Sequence, residues 1–309
     1  MWQRQGKFFD GIDGRAQCPV VDIDNDGFWR IYFSHRDSNN HSYTSYIDVE
    51  AGNPENILRN SKAPVLSPGP LGSVDQAGAM ATSIITSNTA KYLYYIGWSQ
   101  RLDVPYFNTT CMSASSMEGN NWYKVGPILS PDRIDDGYSG TFYPVVNHSK
   151  TRWTGIYLSC FEWVKIDGRI EPRYNLKRAE SQDGTNWTKT GDIVIDIQSS
   201  QGGASQMTVW YNPMRGIYQG WYSMRNNRKY RDNHEYAYRI RYAESFDLIN
   251  WEEDTMSMEN CLYATGNTND WDGIMCCYPC VIEYNKTLYM FYNGNGFGQT
   301  GIGYATWEL

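Results

Sequence analysis

The chain has 309 residues, including 25 Tyr, 12 Trp, 10 Phe and 28 Gly, and its formal net charge is -7. An acidic chain without clustered Lys and Arg is not expected to bind nucleic-acid phosphates or an anionic membrane. The sequence has no stretch of about eighteen apolar residues, and residues 1–6 lack the apolar core of a secretion signal. Seven scattered cysteines fit free thiols better than a disulfide framework. These features predict a cytoplasmic protein.

Three segments share the pattern Ala-x-Ser-x-x-x-x-Asn-Trp, which ends at Trp122, Trp187 and Trp251. The tryptophans are 65 and 64 residues apart (187 − 122 and 251 − 187), and such a period indicates a repeated supersecondary unit. Aromatic runs between turn residues predict four antiparallel strands in each unit, which is the composition of a propeller blade. Because the Trp turns recur regularly, we interpret them as scaffold.

The second strand of each predicted unit is an aromatic run, and the sequence contains five such runs. They are residues 29–34, 92–97, 153–159, 218–223 and 288–293. Residues 301–307 resemble a third strand, and the missing fourth strand matches residues 2–9 at the opposite end of the chain. We therefore predict one all-β domain spanning residues 1–309. It is a five-bladed β-propeller with four antiparallel strands per blade, closed by the N-terminal strand, which completes the last blade and removes an exposed edge.

The Asp-Gly-x-x-Trp turn that begins at Asp183, and the Gly-rich segment from Tyr292 to Ala305, carry a family resemblance. The chain resembles, over essentially its whole length, the five-bladed furanosidase-like superfamily of glycoside hydrolase families 43, 32 and 130. The resemblance implies cleavage, transfer or phosphorolysis of glycosidic bonds by acids in an axial pocket. In family 43 the general base is an Asp just before the Pro of the first inner strand. Cys18 stands at that place here, so the expected base is absent.

In a propeller, the starts of the inner strands and the ends of the second strands lie on one face beside the axis. Three acids at such positions, Asp75, Glu162 and Asp272, are the predicted catalytic residues. Glu162 lies between two aromatic residues, which would desolvate it and raise its pKa, so it is the predicted proton donor. Asp75 is the first choice as base. The alternatives are turn capping for the two aspartates and a salt bridge for Glu162.

The predicted substrate-binding residues are of types that stack on sugar rings or hydrogen-bond to hydroxyls. They are Arg15, Gln17, His35, Arg36, Trp98, Tyr138, Gln206, Arg225, Tyr278, Asn293 and Asn295. A guanidinium fork fits a carboxylate, so the predicted partner is a saccharide, neutral or anionic. For the arginines the alternative is bracing between blades. Asp13, Asp136 and Asp270, which also precede inner strands, are interpreted as turn-capping residues.

Two motifs resemble metal sites, and we interpret both as structural. Residues 22–27 begin like an EF-hand loop, but the twelfth position is Phe33 and the segment lies between two predicted strands. Cys276, Cys277 and Cys280 resemble half of a zinc site, but the other half is missing and strand alternation sends Cys277 to the opposite face. We predict no metal and no cofactor.

Three functions are compatible with these residues. The first is a carbohydrate-active enzyme that hydrolyses or transfers a glycosidic bond by carboxylate acid and base catalysis. The second is a sugar-binding propeller that has lost the base, which Cys18 favours. The third is a structural or protein-interaction propeller. A pocket-facing pair of acids would favour the first, stacked aromatics without such a pair the second, and an axis filled by apolar side chains the third.

Overall fold

The structure is a computed structural model of the 309-residue chain. It describes residues 1–23, 27–135, 137–147, 149, 152–254 and 259–309. Residues 24–26, which are half of the EF-hand-like segment, and Asp136 therefore lie outside the described residues. The described chain is all-β apart from one helical turn, Asn295–Gly298 (α1). It contains no helix that is long and apolar enough to cross a membrane.

The described strands form five antiparallel units of four, and the chain begins with Gln3–Phe9 (β1), which belongs to the fifth unit. The first unit contains Gln17–Asp22 (β2), Phe28–Arg36 (β3), Ser42–Glu50 (β4) and Asn53–Asn60 (β5). The second contains Gly78–Thr86 (β6), Lys91–Ser99 (β7), Phe107–Ser115 (β8) and Tyr123–Leu129 (β9). The third contains Ser139–Val146 (β10), Trp153–Ile166 (β11), Arg169–Ser181 (β12) and Thr188–Ile195 (β13).

The fourth unit contains Gln201–Asn212 (β14), Ile217–Asn226 (β15), Arg239–Ser245 (β16) and Glu252–Asp254 (β17). The fifth contains Cys277–Tyr284 (β18), Thr287–Asn293 (β19), Ile302–Glu308 (β20) and, as its outer strand, β1. Strand β1 pairs with β20 from Gln3 opposite Thr306 to Phe9 opposite Ile302. The two ends of the described chain therefore belong to one sheet.

The recurring Trp turns bond in the same way in two of the units. The indole of Trp122 donates to the carbonyl of Gly119 at 3.0 Å, and that of Trp187 donates to Gly184 at 3.1 Å. Both glycines have positive φ, 62° and 74°. Leu248 holds this place in the fourth unit with a φ of 64°, a conformation that costs a residue with a Cβ about 1–2 kcal/mol. The positive φ of the turn is therefore kept even where glycine is absent, although the indole nitrogen of Trp251 has no described partner.

The core lies between the faces of consecutive units. Separate apolar clusters join the first unit to the second, the second to the third, the third to the fourth and the fourth to the fifth. Another cluster joins the fifth unit to the first, where the ring of Trp29 lies 5.0 Å from that of Tyr289 and 6.0 Å from that of Phe291. Aromatic edge-to-face packing of this kind stabilises each contact beyond its buried area.

The inner strands are irregular at one common level. Their register against the second strand shifts between Gln17 and Val20, Ala81 and Ser83, Ser139 and Phe142, Ser205 and Thr208, and Cys277 and Cys280. Three residues there have positive φ, namely Cys18 at 51°, Gln206 at 44° and Tyr278 at 60°. β-Bulges re-aim side chains and are frequent next to functional sites. In this chain, residues of the bulge level line the main cavity.

Candidate functional site

A cavity of about 560 Å³ lies among the five inner strands. Each inner strand contributes to its wall: β2 with Gln17 and Cys18, and the other four with Met80, Thr141, Ser205 and Tyr278. The second strands add Arg36, Ile96, Trp98 and Leu158, and loops add further aromatic and amide side chains. A concave site with a few polar groups among aromatic ones is the usual form of a small-ligand pocket.

Three arginines, at positions 15, 36 and 231, line the cavity, and Arg15 and Arg36 are two of them. Arg36 donates from Nε to Gln17 Oε1 at 3.3 Å and from a terminal nitrogen to Asn40 Oδ1 at 2.9 Å, and its guanidinium lies 5.4 Å from the Trp98 ring. Burial, and then the neighbouring charge of Arg15, lower the pKa of Arg36. Burial also lowers the pKa of Arg15. Within the described part of the chain, neither guanidinium forms an ion pair.

Tyrosines form much of the remaining wall. Tyr138 donates its hydroxyl proton to the hydroxyl of Tyr106 at 3.4 Å. The hydroxyls of Tyr174 and Tyr238 are also hydrogen-bonded to each other, and the ring of Tyr238 lies 5.6 Å from that of Tyr278. Aromatic rings with a polar tip suit a ligand that is apolar on its faces and hydroxylated at its edges, as sugars are.

One buried polar atom of the wall has no hydrogen-bond partner among the described residues. Ser205 is 2% exposed, and its hydroxyl oxygen has no hydrogen-bond partner among the described residues. A buried hydroxyl without a partner costs about 1–3 kcal/mol. Its position on the cavity wall makes it a candidate contact for a ligand.

Six of the eleven predicted substrate-binding residues line this cavity. They are Arg15, Gln17, Arg36, Trp98, Tyr138 and Tyr278. They come from the first, second, third and fifth units, so the structure brings residues from distant parts of the sequence to one place. The orientation of the Trp98 ring is fixed by a hydrogen bond, in which its indole nitrogen donates to Ser42 Oγ at 3.1 Å.

The other five predicted substrate-binding residues lie outside the cavity lining. His35 contacts Ser45 Oγ at 3.0 Å, and burial lowers its pKa. The others brace the scaffold: Gln206 donates to the Thr82 carbonyl, Asn293 accepts from the Cys18 amide, Asn295 accepts from the amides of Ile274 and Met275, and Arg225 donates to Tyr174, Pro172 and Asn226. Each of these side chains makes at least one hydrogen bond to the protein, although Gln206 Oε1 has no described partner.

Asp75 is buried and bonded within its own unit. It is 5% exposed, and its Oδ2 lies 2.6 Å from Lys124 Nζ and accepts from the Tyr95 hydroxyl at 3.3 Å. The structure does not place it in the cavity wall. Asp75 therefore neutralises a basic residue on the fourth strand of the unit.

Asp272 makes the same contacts in the fifth unit. Its Oδ2 lies 3.0 Å from Arg4 Nε and accepts from the Tyr292 hydroxyl at 2.9 Å. In the third unit Asp135, which is fully buried, accepts from the Tyr157 hydroxyl at 3.0 Å and pairs with Lys189. The basic residue follows the turn tryptophan by two positions in all three units, at 4, 124 and 189. The network of acid, tyrosine and base is thus a repeated feature of the scaffold.

Glu162, the predicted proton donor, lies at the surface. Its side chain is 45% exposed, and its Oε2 accepts from Arg173 at 2.9 Å. Neither Glu162 nor any other described carboxylate lines the cavity. Cys18, which stands where the family 43 base would be, does line it. Burial raises the pKa of Cys18 to about 12, so its thiol is protonated at neutral pH.

Sequence reasoning missed several residues of the wall. They are Asn40, Gln100, Tyr106, Asn108, Tyr174, Tyr230, Arg231, Tyr238, Phe297 and Gln299. Tyr230, Arg231 and Tyr238 lie in the connection between β15 and β16, which spans residues 227–238. That connection is longer than a hairpin turn and rich in tyrosine, which is a usable sequence signal. The described chain contains no group of three His, Cys, Asp or Glu side chains arranged to hold a metal ion.

No family model matches the sequence. Two proteins of Mycobacterium tuberculosis, Uncharacterized protein Rv1502 and Uncharacterized protein MT1551, are each 28% identical to this chain over 315 residues, and the match covers 99% of this chain and 99% of each relative. The similarity therefore extends through all five units and is not confined to one motif.

Several solved structures share the fold at low sequence identity. The BT0996 RGII complex superposes with a TM-score of 0.75 and 16% identity, over 100% of this chain and 93% of the other protein. The catalytic domain of a GH62 α-L-arabinofuranosidase from Coprinopsis cinerea gives 0.68 and 12%, over 99% and 96%. A β-1,2-mannobiose phosphorylase from Listeria innocua, in complex with β-1,2-mannobiose, gives 0.66 and 11%, over 95% and 89%. The predicted likeness to the propeller glycoside hydrolases is thus confirmed at the level of fold.

Proposed function

We propose that this protein is a carbohydrate-active propeller whose cavity binds a saccharide. The observation that carries the proposal is the composition of the cavity wall, which combines aromatic rings, amides, arginines and the partnerless hydroxyl of Ser205. Stacking of rings on sugar faces and hydrogen bonds to hydroxyls require such groups. The fold shared with glycoside hydrolases, and with a phosphorylase solved with a bound disaccharide, supports the same conclusion.

We also propose that the five units are the blades of a closed ring around this cavity. Contacts between every pair of consecutive units support closure, including the one between the fifth and first. Thr44 Oγ1 donates to Ala79 at 2.9 Å, and the Cys18 amide donates to Asn293 Oδ1 at 3.2 Å. Strand β1, as the outer strand of the fifth unit, would then be the element that closes the ring.

Reaction at a glycosidic bond is a second candidate function, and the fold similarity favours it. In this proposal Asp75, Glu162 and Asp272 supply acid and base. The absence of a described carboxylate from the cavity wall supports saccharide binding more directly than this chemistry. Replacing each acid by its amide tests it. A catalytic acid would lose about 10²- to 10⁴-fold in turnover with intact folding, whereas a scaffold acid would lose stability.

The experiment that tests saccharide binding uses two serine variants. Ser205→Ala removes the partnerless hydroxyl on the cavity wall and should weaken saccharide binding by about 0.5–1.5 kcal/mol, the usual net value of one hydrogen bond. The melting temperature should stay the same or rise, since the alanine leaves no unsatisfied oxygen. Calorimetric titration with neutral and acidic oligosaccharides measures the affinity.

Ser34→Ala is the matched control. Ser34 is also fully buried with a hydroxyl that has no described partner, but it does not line the cavity. Its replacement should leave saccharide affinity unchanged. Equal affinity of the two variants and the unmodified protein would remove Ser205 from the binding site. Failure of every saccharide to bind to the folded protein would reject the proposed function.

A further inference from the structure

Part of the positive charge of the cavity wall has no partner among the described carboxylates. Three arginines line it among the described residues, at positions 15, 36 and 231. Arg231 lies 2.6 Å from Glu171 Oε1, so its charge is neutralised. Arg225, the further candidate for an anionic group, does not line the cavity, and its donors are used by Tyr174 and by two carbonyls. The uncompensated positive charge therefore belongs to Arg15 and Arg36.

Arg15 and Arg36 line the same cavity, and their positive charges repel each other. Each has a pKa lowered by burial, and Arg15 lowers that of Arg36 further by repulsion. The amide oxygens of Gln17 and Asn40 accept from Arg36 and fix its direction, but they carry no negative charge. Two neighbouring cations in a partly buried site attract an anion more strongly than exposed ones, because solvent screens them less.

We propose that the cavity takes an acidic saccharide whose carboxylate binds between Arg15 and Arg36. This inference rests on the proposed saccharide binding and names its substrate class. A carboxylate accepts hydrogen bonds from a guanidinium fork in one plane and supplies the missing negative charge. The sugar ring then lies against Trp98, whose ring is 5.4 Å from the Arg36 guanidinium.

Titration calorimetry on the full chain tests the preference. The probes are a galacturonic acid trisaccharide, a glucuronic acid disaccharide and the same sugars with the carboxyl group reduced to an alcohol. The acidic forms should bind about ten- to a hundredfold more tightly than the reduced ones, the range expected for hydrogen bonds to a charged group. The difference should shrink as salt is added, because salt screens the two charges.

Variants of the two arginines test whether these residues cause the preference for acidic over reduced sugars. Arg15→Met and Arg36→Met keep the length and apolar stem of each side chain and should bind acidic and reduced sugars equally, with the affinity for reduced sugars largely retained. Arg239→Met is the matched control. Arg239 also has a pKa lowered by burial and by a neighbouring arginine, Arg241, but it lies outside the cavity. It should keep the full preference.

A second substitution covers the case in which Arg36→Met does not fold. Arg36→Lys keeps the charge without the fork, and it should reduce the preference by an intermediate factor. Equal binding of acidic and reduced sugars by the unmodified protein would overturn the inference and leave saccharide binding standing. Absence of binding by all sugars would overturn both. Tighter binding of a sugar phosphate than of any uronic acid, lost in the arginine variants, would overturn the assignment of a carboxylate.

Discussion

The repeated units and the cavity handle buried charge in opposite ways. In the second, third and fifth units a buried aspartate pairs with a base on the outer strand and accepts from a tyrosine. At the cavity, two arginines lie together without a described carboxylate. A charge balanced in the same way in three units serves the architecture that the units share. A positive charge without a described carboxylate partner at the cavity supports the proposal of an anionic ligand there.

Removal of β1 is the change with the largest expected effect on the scaffold. A chain that starts at Asp10 loses the buried Trp2, the Arg4 partner of Asp272, and the packing of Phe8 and Phe9 in the core. At about 1.5–3 kcal/mol for each buried aromatic side chain, the free energy of unfolding should fall by roughly 5 kcal/mol or more. Thermal melting measures it. A melting temperature within a degree or two of the full chain would contradict the proposed closure.

Asp135→Ala should have the next largest effect. Lys189, whose side chain is 5% exposed, would lose its buried partner, and loss of one member of a buried pair typically costs about 3–5 kcal/mol. Chemical denaturation measures the change. The double variant Asp135→Ala with Lys189→Met removes both charges and should recover part of the loss.

The exposed pair of Lys7 and Asp10 gives the control, since Asp10→Ala should cost about 1 kcal/mol or less. If Asp135→Ala were no more harmful than Asp10→Ala, the repeated network would not be a stabilising part of the scaffold. Saccharide binding should persist in the folded fraction of every scaffold variant.

Glu171 belongs to the scaffold and pairs with Arg231, which lines the cavity. Its replacement should have the smallest effect on the free energy of unfolding. Burial raises its pKa, but hydrogen bonds from Arg231 and Tyr230 outweigh burial and hold the pKa below its ordinary value of 4.5. The carboxylate therefore stabilises the fold above pH 4.5, and this contribution disappears as the pH falls through the lower folded value. Glu171→Gln should flatten the dependence of stability on pH below about 4.5. If the stability of Glu171→Gln below pH 4.5 depended on pH as it does in the unmodified protein, the result would argue against the pairing of Glu171 with Arg231.

The strands could be predicted from sequence because their signals are local and repeated. The spacing of Trp122, Trp187 and Trp251 defines units that the structure contains, and the match of residues 2–9 to a fourth strand predicts the pairing of β1 with β20. Aromatic and β-branched runs between turns determine strand positions without reference to the rest of the chain. The position of each strand along the chain could therefore be predicted without knowledge of long-range contacts.

The site was predicted only in part, because lining a cavity depends on where neighbouring side chains point. Arg36 and Arg225 hold equivalent places at the ends of second strands, yet Arg36 lines the cavity and Arg225 is turned to Tyr174 and to carbonyl oxygens. Bulges at Cys18 and Gln206 change the alternation of side chains along the inner strands, and no sequence motif marks them. Asp75 and Asp272 were selected for their position before inner strands, and that same position suits the repeated ion pairs.

The seven free cysteines can report the separation of contacts between units, because a thiol reagent labels them only when they become exposed. All of them are buried, and burial raises the pKa of Cys111 and Cys160 to about 12 and that of Cys280 to about 11. A thiol reagent reacts with the thiolate, so these groups are inert until the surrounding contact separates. Cys111, Cys160 and Cys280 belong to three different clusters between units. Mass spectrometry of peptides can follow the order in which these cysteines are labelled in mild denaturant. That order would show which contact between units opens first.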